Sequence, residues 1–133
     1  MVATIIGVSS GLLIILLIGL LKQLDKKIIY GLALAGIGFL YVGFAWTNLQ
    51  ALIVNCAQAI LFLFLAYYGI KKSLVLLAAG YLLHGCWDIA YHYFQNPGLI
   101  PPHYGLFCSS LDFSIAVYLL ILNKRNLKMK AHN

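Results

Sequence analysis

Glutamate is missing altogether from this chain of 133 residues, and only three aspartates, Asp25, Asp88 and Asp112, supply negative side-chain charge. Any general base must therefore be Asp or His. Charged residues are scarce at 9%, against 63% hydrophobic, which leaves too little polar surface for a soluble globule of this size. Every lysine falls at an end of an apolar run or beyond it, none in its interior, which removes a retinal Schiff base. The sequence also lacks a Gly-x-Ser-x-Gly elbow, a phosphate loop and a His-Glu-x-x-His pair. Cysteine is rare and odd in number: Cys56, Cys86 and Cys108 fall at irregular spacing inside apolar runs, which reads as packing rather than a disulfide framework.

What remains is mostly hydrocarbon, in runs long enough to cross a bilayer, which takes about 20 helical residues. They predict five membrane-spanning helices over residues 3–22, 28–46, 50–70, 74–94 and 105–123. Three of the breaks are brief, and only 95–104 is longer. Such connections force each helix to reverse direction, so the expected architecture is an all-α, up-and-down bundle forming a single integral membrane domain over residues 1–133.

The basic residues orient it. Lys22, Lys26 and Lys27 follow the first run, Lys71 and Lys72 the third, and Lys124, Arg125, Lys128 and Lys130 the fifth. Positive loops stay in the cytoplasm, so the N-terminus is expected outside and the C-terminal tail inside. The net charge of +6 is then topological and calls for no nucleic-acid partner, although the tail suits anionic lipid headgroups. The first run lacks a basic segment before it and has its lysines after it, the order of a first helix rather than a signal peptide.

Small residues indicate how the helices meet. Gly7 with Gly11, and Gly31 with Ala35 and Gly38, lie on shared helix faces that let a neighbouring backbone approach. Packing within the bundle is the first expectation and homo-oligomerisation the second.

The fourth and fifth helices carry the chemistry. An ionisable group in hydrocarbon is costly, and Asp88 and Asp112 both lie in apolar runs. His84, Asp88 and His92 recur at intervals of four along one face, and Cys108 with Asp112 makes a matching pair on the next helix. Counted from the outer surface at ~1.5 Å per residue, Asp88 lies roughly 9 Å deep, Asp112 about 12 Å and His84 roughly 15 Å. The three can converge. Asn55 and Gln58 on the third helix reach the same level, roughly 8 and 12 Å down. His92 and His103 flank a loop stiffened by Pro97, Pro101 and Pro102, and Trp46, Tyr81, Trp87, Tyr91 and Tyr104 are candidates to line or rim a polar cavity opening outward.

Several readings of this cluster stand open. In one, the aspartates pair with His84, His92, Asn55 or Ser109 and only lock the bundle. In a second, His84, Asp88 and Asp112 ligate Zn, Fe or Mn in an enzyme acting on a lipid or isoprenoid-like substrate. There Asp88, Asp112 and His92 do the chemistry, while His92, His103, Cys108, Asn55, Gln58, Trp87 and Tyr91 line the entry. His84 and His92 are about 12 Å apart along the axis and cannot share one ion. In a third, the same groups relay protons in a transporter or channel, although no inverted repeat is evident. A haem held by His84 is a further cofactor reading.

The segments Leu83–His92, Pro101–Cys108 and Leu111–Phe113, with Tyr118, resemble a family of small, uncharacterised prokaryotic integral-membrane proteins of unknown function. That family is expected to show a His-x-x-Trp-Asp-x-x-x-His helix, a proline loop and a Cys-x-x-x-Asp helix. The resemblance covers the last third of the chain and implies a multi-pass protein of the prokaryotic cytoplasmic membrane. It groups His84, Asp88, His92, His103, Cys108 and Asp112 as one site and assigns no reaction.

Overall fold

The computed structural model describes residues 1–94 and 98–132, apart from the side chains of His92 and Phe94. Pro97 and the His92 imidazole thus lie outside the described residues. Among these there are five helices: α1 (Val2–Leu20), α2 (Lys26–Phe44), α3 (Leu49–Lys72), α4 (Leu74–Phe94) and α5 (Tyr104–Ala131). Each contains a stretch long and apolar enough to cross a membrane.

Local chemistry sets where the helices begin. Asp25 caps α2 by accepting from the Lys27 and Ile28 amides, and Asn48 caps α3 by accepting from Ala51. At the short α3–α4 junction Ser73 is extended, and its hydroxyl accepts from the Leu76 amide at 3.2 Å. The start of α5 differs: His103 sits in the left-handed region with φ of 63°, and the Tyr104 amide bonds back to the Pro101 carbonyl. The chain therefore turns sharply into α5.

Packing departs from a simple succession of neighbours. α4 lies against α5, α3 and α2, and α2 pairs with α3, while the chief partner of α1 is α5, the helix furthest from it in sequence. The reason is in the small residues. A Cβ on Gly7 would fall 2.3 Å from the Phe107 carbonyl oxygen, and one on Gly11 3.2 Å from that of Leu111. The Gly7–Gly11 face is thus covered inside the chain. The stripe on α2 works similarly, Gly31 receiving Ile70 and Gly38 receiving Phe62 of α3. A core of Leu34, Phe62, Leu77, Ala78, Ile115 and Leu119 joins α2 to α5 around Tyr30 and Tyr81.

Outside that core the surface is apolar. Ile5, Leu12, Leu16, Leu61, Phe64 and Val117 are among many large hydrophobic side chains left exposed, as expected of faces that meet lipid rather than water.

Candidate functional site

The depth count along α4 and α5 has a direct geometric counterpart. His84, Asp88 and Asp112 each offer a ligand-type atom, all within 4.8 Å of one another, and each residue is 1% exposed. His84 Nδ1 lies 2.7 Å from Asp112 Oδ2, a hydrogen-bonding distance, and 3.5 Å from Asp88 Oδ2, an ion-pair separation without a hydrogen bond. Asp88 Oδ2 has no hydrogen-bond partner among the described residues.

Two glycines allow α4 and α5 to close around this point. The Phe113 ring occupies the place of a Gly85 Cβ, and Gly105 brings α5 so close that a Cβ would sit 2.7 Å from the Asp88 carbonyl oxygen. The acids and the imidazole are pressed together by helix contact, not merely aligned by spacing.

Tyr41 is the member that periodicity does not reveal. Its hydroxyl donates to Asp88 Oδ1 at 2.6 Å, and its ring lies 6.1 Å from His84 and 4.7 Å from Tyr91. By holding Oδ1 it leaves Oδ2 facing His84. Tyr41→Phe keeps the ring contacts and removes this donor. We expect it to lower stability by about 1.5–3 kcal/mol, the range for a hydrogen bond to a charged group, in chemical unfolding of the detergent-solubilised protein.

The polar residues of α3 join the same zone. Asn55 donates through Nδ2 to the Tyr91 hydroxyl at 2.8 Å, and Gln58 donates through Nε2 to the Gly38 carbonyl of α2. Their amide oxygens, Trp87 Nε1 and His84 Nε2 are buried without a hydrogen-bond partner among the described residues. The His84 ring meets the Phe62 ring edge-on at 4.7 Å.

Other expectations are redistributed. Tyr41, Phe44, Tyr91 and Tyr104 interlock as an aromatic layer beside the triad, with Phe44 and Tyr104 ring centroids 5.0 Å apart. Tyr81 turns toward the opposite half of the bundle, where its hydroxyl donates to the Tyr30 carbonyl at 2.8 Å. Trp46 and His103 are exposed. Cys108 is half-buried one turn before Asp112, and all three cysteines are free. Ser109 bonds the Leu106 carbonyl of its own helix.

Two carboxylates and an imidazole meeting in an apolar interior can hold a divalent ion or share protons, and the donor types suit both. No curated protein and no solved structure matches the chain. A family model does, over residues 2–125, and on that match the chain belongs to the family of unknown function DUF6010.

Proposed function

We propose that the chain is a multi-pass protein of the cell membrane that holds a divalent metal ion between α4 and α5, with His84 Nδ1 and one oxygen each of Asp88 and Asp112 as ligands. One observation carries the reading: two buried carboxylates face a single imidazole, while every Lys and Arg lies at positions 22–27, 71–72 or 124–130. Two carboxylates with a neutral imidazole present the charge that a divalent ion cancels, and a buried charge left without compensation costs several kcal/mol. The separations of 2.7 and 3.5 Å bracket the about 3.3 Å between ligands of a tetrahedral ion bound at about 2.0–2.1 Å. Zn, Fe and Mn fit this donor set.

The lysine and arginine distribution supports an N-terminus outside and the basic end of α5 in the cytoplasm, an orientation in which the triad lies in the outer half of the membrane. A metal ion there supplies Lewis acidity and an activated water. Tyr41 fixes the free oxygen of Asp88, and the aromatic layer keeps bulk water away. A substrate reaching such a site comes from the bilayer, which favours a lipid or isoprenoid-like molecule.

A second reading, a proton relay, is favoured by one feature: the bonds Tyr41–Asp88 and Asp112–His84, joined across the 3.5 Å gap, form a continuous run of exchangeable groups. Titration with Co2+ separates the two. The metal reading expects d–d absorption bands at one equivalent that vanish in His84→Ala. Folded wild type without such bands, together with proton flux in liposomes abolished by Asp88→Asn, would replace it with the relay.

A further inference from the structure

The orphaned atoms on α3 and α4 extend the triad in a direction that the ligand set does not use. His84 turns Nδ1 toward α5, 2.7 Å from Asp112. Nε2, on the far edge of the ring, is buried without a hydrogen-bond partner among the described residues. Gln58 Oε1 is buried in the same condition on the facing helix, in a residue only 4% exposed.

Three contacts put the two groups in the same zone of the bundle. Phe62, one turn along α3 from Gln58, meets the His84 ring at 4.7 Å. Gly38, whose carbonyl holds the Gln58 amide nitrogen, lies one turn before Tyr41 on α2. Tyr41 in turn sits 6.1 Å from the His84 ring and bonds Asp88. Gln58 therefore lies one turn from Phe62 and is bonded one turn before Tyr41, the two residues whose rings meet His84. The Gln58 amide nitrogen is tied to the backbone, which leaves the oxygen as the end available to a donor.

We infer that Gln58 is the positioning residue of His84: its amide oxygen receives the Nε2 hydrogen through one bridging water and thereby dedicates Nδ1 to the centre between the aspartates. An imidazole that ligates through one nitrogen needs its hydrogen on the other, and the partner of that hydrogen fixes both tautomer and ring orientation. A carboxamide fixed by a backbone carbonyl of a third helix suits this task, because its own rotation is restrained. Gln58 thus ties α2 and α3 to a site whose proposed ligands all come from α4 and α5.

The inference rests on the metal reading for its effect on affinity, and the hydrogen position is read without metal. The experiment is 15N NMR of the His84 side chain in the full-length, detergent-solubilised protein after chelator treatment, followed by Zn2+ titration. Wild type is expected to show a hydrogen-bearing Nε2 before and after Zn2+. Gln58→Met is expected to lose that signature in the metal-free protein and weaken Zn2+ binding about 10–100-fold. Gln58→Glu, which keeps an acceptor oxygen and loses the donor to Gly38, is expected to retain both. A bare Nε2 in wild type overturns the inference, as does a Gln58→Met protein with unchanged signature and affinity. Loss in Gln58→Glu equal to that in Gln58→Met would reduce Gln58 to a structural tie. Wild type that binds no Zn2+ while Gln58→Met still moves the Nε2 signal would sink the metal reading and leave the positioning role standing.

Discussion

Truncating Asp112 to alanine is expected to cost about 3–5 kcal/mol of unfolding free energy, the range for breaking a buried charged pair by removing one partner. The residue is 1% exposed and makes the 2.7 Å contact to His84. Without it, His84 Nδ1 keeps only Asp88 at 3.5 Å, and no lysine or arginine lies in the interior of an apolar run to rebalance the cluster. Asp112→Asn separates shape from charge. It keeps a carboxamide that can pair with Nδ1 as donor or acceptor, so its stability loss should be clearly smaller, while its capacity for a divalent ion should fall as far as in the alanine variant. Equilibrium unfolding in mixed micelles measures the first quantity and Zn2+ binding the second. An alanine variant within about 0.5 kcal/mol of wild type would mean the contact carries no weight, as at ordinary surface positions.

Gly7→Leu is expected to be the most damaging substitution in α1. A Cβ at this position would lie 2.0 Å from Ser110 Oγ and 2.3 Å from the Phe107 carbonyl oxygen. The serine can rotate away, but the carbonyl belongs to the α5 backbone, so one helix must shift. Overpacking of this kind costs about 1–3 kcal/mol and occasionally more. Here it also strips α1 of its chief partner, since the spanning window of that helix is only 11% buried. Gly19→Leu and Gly36→Leu are the controls, because nothing lies within 4 Å of a Cβ at either position. Mixed-micelle unfolding should show a lower midpoint for Gly7→Leu alone. Equal effects at all three positions would mean that α1 does not dock through this face.

Hydropathy located the helices well because the apolar runs are long and the breaks carry the caps Asp25 and Asn48. It ended the last helix too early. Residues 124–131 are polar, but Lys, Arg, Leu, Met and Ala are good helix formers, so α5 continues to Ala131 after the hydrocarbon pattern stops. The Gly7–Gly11 face of α1 was legible from its small residues, but α5 as its partner was not, since α1 is apolar all round and nothing in its pattern names a neighbour. At the site, His84 and Asp88 share a helix face and Asp112 matches them in depth, so their meeting followed from helical rise alone. Tyr41 did not follow. A tyrosine near a helix end reads as an interfacial anchor, and only the tertiary approach of α2 to α4 turns it toward Asp88. The same ambiguity hid the aromatic layer, because sequence does not say whether such rings face headgroups or one another. The available signal was that Tyr41 and Asp88 lie three and six residues before the ends of α2 and α4, within one turn of each other.

Elemental mass spectrometry of the detergent-purified protein, with His84→Ala and Asp112→Asn beside it, tests the central claim most directly. The account predicts close to one divalent metal ion per chain in wild type and none in either variant. Folded, metal-supplemented wild type that retains no metal would contradict it and leave the buried carboxylates to be balanced by protons alone.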